Sequence, residues 1–471
     1  MNVARVRAYA LAPVCTLLSA AGFFLSFGLG DLWWLAWLAP VPVLWYAFGT
    51  EQAWRPFIAA SLAMALGGCN LFQAYGGILP VPILALAIGA PALSFAASVL
   101  GARRVLRALG PLAAMFAFAA LWTAFDLLAS FSHEGGTVGT PAASQVAAPL
   151  LIQTASLVGF LGITFLLGLV PAGMALGLRA RSPLAAGIAV AAFAANAAYG
   201  QWRMTEAPTA SLRVALVESD AAVASVQQAD ATAALQAVDD YAANIAALRE
   251  AQVRLIVLPE NIARLEAPAR EQAQARLAAA ANRAQATVVA GFNTQTDAGR
   301  QNVAWVFTPG AVQVSSYAKR HLVPGLESTR YQPGLAAFAA NGIGIEICKD
   351  MDFPTTLRAD MVASRATLLA VPAWDFGADA WSHARVAILR SVENAVPLAR
   401  AARDGLLSVN DGYGRLLGRA QSKDGFTVLV ADVPLGTSGG RTLYDRIGDV
   451  FGWFCVALGA VLIAWAMRRE R

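Results

Sequence analysis

The sequence predicts a membrane α-helical bundle of about eight transmembrane helices, with an α/β domain inserted between spans seven and eight. Three observations predict it. The 471 residues are 57% hydrophobic and only 14% charged, with a mean hydropathy of +0.54, too apolar for an ordinary soluble chain of this length. Uncharged or nearly uncharged runs recur at about the length of roughly 20 residues that a helix needs to cross a bilayer. Between Ser211 and about Leu435, charged residues return and strand-like runs alternate with helix-like ones, the pattern of a layered α/β domain.

The apolar runs are Ala8–Gly30, Leu32–Gly49, Pro56–Ala102, Pro111–Phe131, Leu151–Leu178, Pro183–Gln201 and Val450–Met467. Pro56–Ala102 is long enough for two spans, with "YGGILP" (Tyr75–Pro80) as the turn between them. Lipid offers no partner to an unpaired backbone N–H or C=O, so each span must be helical. Basic residues then set the orientation. Arg5 and Arg7 precede span one, Arg55 follows span two, Arg103, Arg104 and Arg107 follow span four, Arg179 and Arg181 follow span six, and Arg468, Arg469 and Arg471 follow span eight. All fall on one side, which the positive-inside rule makes cytoplasmic, so the α/β block is expected on the opposite face. The first span shares a basic start and small residues (Ser19–Gly22) with cleavable signals, but its apolar run is longer than a usual signal core. The expected division is residues 1–207 for spans one to seven, 208–437 for the extracytoplasmic domain, and 445–471 for span eight and its basic tail.

The net charge of +5 is therefore an orientation signal, and no basic-aromatic patch argues for nucleic acid. His133, His321 and His383 are far apart without ligand spacing, so neither a metal nor another cofactor is expected. Trp33, Trp34, Trp37 and Trp45 read as interfacial and packing aromatics. Asp126, near the outer end of span five, either faces water or serves a function. Of the four cysteines, Cys15, Cys69 and Cys455 lie in apolar runs and read as small buried hydrophobes. Cys348 stands alone in the α/β block, so that block holds no internal disulfide.

Within the block, Leu212–Ser219, Arg254–Glu260, Ala286–Asn293, Asn302–Thr308, Val312–Lys319, Gly342–Cys348, Ala366–Trp374, Leu406–Asp411 and Phe426–Val433 read as strands. Ala221–Ala251, Pro268–Gln285, Thr355–Arg365 and Ala380–Ala395 read as helices. Three strands end in residues of different chemistry: Glu260 closes "LIVLPE", Lys319 closes "VSSYAK" and Cys348 closes "GIEIC". Strand ends are where α/β folds place their chemistry. Strand alternation would put Gly344, Glu346 and Cys348 on one face and Ile343, Ile345 and Ile347 on the other. A thiol reacts as thiolate, which a following helix N-terminus would favour. A carboxylate can carry the proton, and a lysine can hold an oxyanion. Taken singly, each of the three has an ordinary structural reading.

In order and spacing, "LPENIAR", "YAKRHLVP" and "EICKDMDFP" match the Glu-Lys-Cys triad of the carbon-nitrogen hydrolase (nitrilase) superfamily, which the block from about Arg213 to Val433 resembles. With its flanking spans, nearly the whole chain resembles the apolipoprotein N-acyltransferases, the membrane-bound family within that superfamily. Glu327 lies eight residues after Lys319, as the family's second glutamate does. "LIQTASLVGFLGITFL" (Leu151–Leu166) is similar to the family's sixth-span signature, and "RSVENAVPLARAARDG" (Arg390–Gly405) to its Arg-x-x-Glu stretch.

The resemblance implies an αββα sandwich and residence in a bacterial inner membrane, with the sandwich on the periplasmic side. It implies acyl transfer from a membrane phospholipid, through a thioester on Cys348, to the amine of a diacylglyceryl lipoprotein. Glu260 would be base and then acid. Lys319 and the Lys349 N–H would hold the oxyanion, and Glu327 would orient Lys319 or the amine. Lys349, Asp350, Trp374, Arg390 and Glu393 would support the site or bind substrate, and the chain is expected as a monomer. It departs from the family at Lys349-Asp350, where Tyr-Glu is usual, at Gly325–Glu327, where Phe-Gly-Glu is usual, and at "PAWDF" (Pro372–Phe376), which only loosely echoes Asn-Asp-x-Trp. These departures leave a membrane-tethered amidase or another acceptor as alternatives. A non-enzymatic carrier or sensor is disfavoured, because the spans hold too few charges to form a transport path.

Overall fold

A computed structural model describes residues 3–132, 135–220, 230–297, 299–311, 314–328, 331–334, 338–436 and 441–470. It divides into two compact units, Met1–Thr205 with Arg446–Arg471, and Glu206–Asp445.

The first unit is built of helices. They are α1 (Val3–Ser26), α2 (Pro40–Gly49), α3 (Trp54–Gly68), α4 (Leu71–Tyr75), α5 (Val81–Leu109), α6 (Pro111–Ser130), α7 (Pro149–Ile152), α8 (Ala155–Val158), α9 (Phe160–Arg179), α10 (Pro183–Arg203) and, after the second unit, α15 (Val450–Arg469). Five of the described helices, α5, α6, α9, α10 and α15, are long and apolar enough to cross a membrane. The expectation of eight rests on three further runs. The first holds α1, which spans the 24 residues Val3–Ser26. Leu32–Gly49 divides between a 3₁₀ turn (Trp33–Trp37) and the ten residues of α2, about 15 Å of helix at 1.5 Å per residue. The first half of Pro56–Ala102 becomes α3 and α4, and the chain turns between Tyr75 and Val81.

Two features of this unit were not legible in its sequence. The arginines closing α5 are anchors as well as orientation signals: Arg103 donates to Thr50 O (2.8 Å) and Arg107 to Glu51 O (2.9 Å), tying down the α2–α3 loop. Asp126 is a half-buried acceptor, taking hydrogen bonds from Thr140 Oγ1 (2.9 Å) and Thr164 Oγ1 (2.6 Å).

The second unit is a four-layer sandwich. Its strands are β1 (Ala210–Glu218), β2 (Leu255–Val257), β3 (Arg264–Leu265), β4 (Thr287–Thr296), β5 (Gly299–Phe307), β6 (Ser315–Ala318), β7 (Phe338–Ala340), β8 (Ile343–Ile345), β9 (Leu368–Trp374), β10 (Leu398–Arg403), β11 (Leu406–Asn410), β12 (Leu416–Gln421) and β13 (Thr427–Leu435). One sheet runs β13-β1-β2-β4-β5-β6 with β3 beside β4, and the other β12-β11-β10-β9-β8-β7. In each, three neighbouring strands are parallel (β1-β2-β4 and β8-β9-β10) and the outer pairs antiparallel.

Helices α11 (Ala231–Ala247) and α12 (Ala269–Ala284) cover the first sheet through Val238, Tyr241, Ile245 and Leu277. Helices α13 (Pro354–Ser364) and α14 (Ala380–Asn394) cover the second through Leu357, Met361 and Ala387. Between the sheets, Val214, Leu216, Val257, Val289, Ile345, Ala370 and Ala401 form a separate core. Asp230 caps α11, accepting from Thr232 N at 2.9 Å; the earlier part of the expected helix, 221–229, lies outside the described residues. β10 went unread because "LARAAR" carries two arginines, yet every residue of it is buried.

Candidate active site

Glu260 leaves β2 in a loop held by its N–H to Ala373 O at 3.2 Å. The loop is pressed against β4 so closely that a Cβ on Gly291 would lie 2.6 Å from Glu260 Cα, so only glycine fits there. Lys319 follows β6, its N–H donating to Asn302 O (2.8 Å) and its C=O accepting from Gly334 N (2.7 Å). Glu327 folds back in a turn, with its N–H on Val323 O (2.9 Å) and its Oε2 accepting from Val323 N (2.8 Å).

These elements converge on one ammonium. Lys319 Nζ donates to Glu260 Oε1 (2.8 Å) and Glu327 Oε2 (2.7 Å), and Asn302 Nδ2 spans the same carboxylates at 2.5 and 2.7 Å. Lys319, Glu260 and Asn302 are almost fully buried. Burial would lower the lysine's pKa, but Glu260, Glu327 and the nearby Cys348 outweigh it and hold it well above the ordinary value. Glu260 is raised by burial and by the charge of Glu327, against the pull of Lys319 and Asn302.

Cys348 corrects two expectations. The strand ends at Ile345, and Cys348 opens a five-residue 3₁₀ turn, Cys348–Asp352, with φ at +42°. That left-handed turn takes the thiol off the alternation: Cys348 packs on the inter-sheet core with Ile343, Ile345 and Ile347, whereas Gly344 faces Met361 of α13. Nor is the thiolate favoured on balance. Burial, then the charge of Glu260, pushes the thiol well above its usual value despite Lys319 and Arg400. Its Sγ donates to Trp374 O at 3.4 Å. A thiol held neutral needs a base at hand, and the geometry supplies a carboxylate whose own proton affinity is raised.

Behind the cysteine, Asp350 stitches the two loops together. Its carboxylate accepts from Tyr317 OH (2.7 Å), Ile347 N (3.1 Å), Arg320 N (3.2 Å) and both N and Nδ1 of His321 (2.9 Å each). Burial opposes its charge, but His321 and Tyr317 hold it below the usual carboxylate range. Lys349 is buried, 3.3 Å from Asp352 Oδ2 and over the Phe353 ring. Trp374 meets the thiol through its carbonyl. Arg390 and Glu393 sit inside α14, paired with each other at 2.9 Å. His383 pairs with Asp379, His133 lies outside the described residues, and the described residues contain no group of three or more ligands suited to a metal.

The sequence missed Asn302, which bridges both carboxylates from mid-strand. It also missed Arg400, paired with Asp375 (3.0 Å from Nη1 to Oδ2) and close enough for its charge to act on the thiol. Asn302 opened a strand "NVAWVFT", where an asparagine reads as a boundary.

Residues 213–440 match the carbon-nitrogen hydrolase family, and residues 19–173 match the apolipoprotein N-acyltransferase N-terminal domain. Over 132 residues the chain is 39% identical to the apolipoprotein N-acyltransferase of Geobacter metallireducens, covering 27% of this chain and 25% of that protein. It is 26% identical over 369 residues to the one from Rhizobium leguminosarum bv. trifolii, covering 68% and 67%. The matched stretches thus span a quarter of the Geobacter relative's length and 34% of that of apolipoprotein N-acyltransferase 1 from Treponema denticola. Among solved structures, a CN-hydrolase superfamily protein from Xanthomonas campestris is similar at 22% identity and TM-score 0.40, covering 47% of this chain and 91% of its own. An amidase from Nesterenkonia is similar at 24% identity and TM-score 0.41, covering 52% and 96%.

Proposed function

From the premise that this chain belongs to the apolipoprotein N-acyltransferase family, a family of multi-pass bacterial membrane proteins, we propose that it transfers an acyl chain from a membrane phospholipid to the α-amine of a diacylglyceryl-cysteine lipoprotein. The observation that carries the reading is Lys319 buried between Glu260 and Glu327, with its charge acting on the Cys348 thiol.

In the first step Glu260 takes the thiol proton as Sγ attacks the ester carbonyl. Lys319 and the Lys349 N–H steady the oxyanion. The tetrahedral adduct collapses to a thioester, and Glu260 returns the proton to the departing lysophospholipid oxygen. In the second step the amine attacks the thioester, Glu260 accepts its proton, and the thiol is regenerated. Asn302 and Glu327 keep Lys319 and Glu260 in register, and Asp350 holds the lysine loop against the cysteine loop.

Topology belongs to the same proposal. Eight spans, with the 208–437 domain on the periplasmic side between spans seven and eight, put one face of the bundle next to all five arginine clusters. Both substrates are lipid-anchored, which accounts for a hydrolase-like domain tied to a membrane bundle. No cofactor takes part, and a monomer suffices.

Full-length protein given labelled phosphatidylethanolamine should acquire an acyl mass adduct on the Cys348 peptide that hydroxylamine removes. No adduct in folded protein, with ammonia released from small amides instead, would replace the reading by an amidase.

A further inference from the structure

A second buried cluster lies beside the site, centred on Arg403 at the end of β10. The side chain is 1% exposed. Its Nη1 donates to the carbonyl of Asn261, the residue after Glu260, which holds a left-handed φ of +55°. Its guanidinium carbon lies 4.7 Å over the Trp374 ring, and the two residues are register partners across β10 and β9. Its own carbonyl accepts from Asp375 N at 3.1 Å. The carbonyl of Trp374 takes the Cys348 thiol, and Glu260 N donates to the neighbouring Ala373. One guanidinium therefore braces the residues next to both Glu260 and Cys348.

Burying such a charge is costly, and a packed apolar side chain of similar size often serves stability as well or better. Burial leaves the guanidinium below its ordinary value, against the opposing pull that Tyr241, Glu218, Asp220 and Glu260 exert when ionised. A planar fork that donates to a carbonyl while stacking on a ring is a task lysine cannot match.

We infer that Arg403 is a positioning residue for the reaction: by gripping Asn261 and Trp374 together, it sets the alignment of Glu260 with the Cys348 thiol. This rests on Glu260 and Cys348 acting as base and nucleophile, but not on any particular acyl donor.

The test is the pH dependence of Cys348 alkylation by iodoacetamide in the full-length, detergent-solubilised protein, read by mass spectrometry on the Cys348 peptide. Because iodoacetamide needs no lipid, failure of the phospholipid reading would leave this result standing. Arg403→Lys keeps the charge but loses the fork, so the plateau rate should fall about tenfold or more with the inflection of Glu260 unmoved. Arg403→Met also removes a cation facing Glu260, and should in addition move that inflection upward. Variants that melt cooperatively yet match the unaltered protein in plateau and inflection would overturn the inference and leave Arg403 a packing residue. Should neither variant fold, Trp374→Leu takes their place: it removes the ring under the guanidinium but keeps the carbonyl. A lowered plateau there supports the bracing, and an unchanged one overturns it.

Discussion

Replacing Lys319 by methionine keeps most of the side chain's bulk and removes its charge. In the native site the ammonium lies 2.8 Å from Glu260 and 2.7 Å from Glu327, with about 1% of its side chain exposed. Its loss strands two carboxylates that share Asn302 and, among the described residues, have no other cation in hydrogen-bond contact. Breaking a buried pair by removing one partner costs about 3–5 kcal/mol. For a unit of 240 residues, at about 2–4 °C per kcal/mol, the melting transition should drop by about 6–20 °C.

The sign of the pH dependence follows from Glu260. Its pKa is already raised above 4.5 in the fold, and without Lys319 it keeps burial and the charge of Glu327 while losing its largest opposing influence. The folded variant then holds a proton that the unfolded chain gives up above about 4.5, so its stability falls as pH rises and recovers in acid. Tryptophan-monitored melts at pH 5 and pH 8 should show the deficit against unaltered protein narrower at pH 5. Thioester formation should fall about 10²–10³-fold, the usual cost of losing an oxyanion donor. A deficit under about 2 °C, or one equal at both pH values, would refute the view that Lys319 neutralises this carboxylate pair.

Asn302→Leu removes the amide spanning Glu260 and Glu327; the pH–rate inflection of thioester formation should move upward, because two donated hydrogen bonds to the charged carboxylates are lost. Asp350→Asn leaves the shape but turns one oxygen of the hub into a donor facing N–H groups of Ile347, Arg320 or His321; it should lower thioester turnover and the melting temperature together, by about 1–3 kcal/mol in stability. Glu218 is raised to about 9, chiefly by burial, so in the fold it keeps its proton up to that pH. It costs the native state progressively more as pH climbs from about 4.5 to about 9, and Glu218→Gln should therefore gain on the unaltered protein across that window in melts at stepped pH.

What could be read without coordinates was periodicity and end chemistry. Alternating β-branched runs announced β1, β4, β5, β9 and β13, and polar residues closing such runs singled out Glu260, Lys319 and Cys348. β12 was missed because an exposed edge strand has no apolar face to declare itself, and β10 because buried arginines look like surface. The apolar runs announced helices, but run length alone does not say where one breaks: Leu32–Gly49 is as apolar as its neighbours and yet holds only a 3₁₀ turn and ten residues of α2.

Sequence by itself determined which residue types could do chemistry and roughly where along the chain they stand, because alternation and turn residues are local properties. Tertiary structure alone decided their charge states and partners. Asn302, Asp350 and Arg403 matter through neighbours 25 to 142 positions away, and burial beside Glu260 pushes the Cys348 thiol above its usual value. Burial and ion pairing are sums over everything nearby in space, and a linear pattern does not contain that sum.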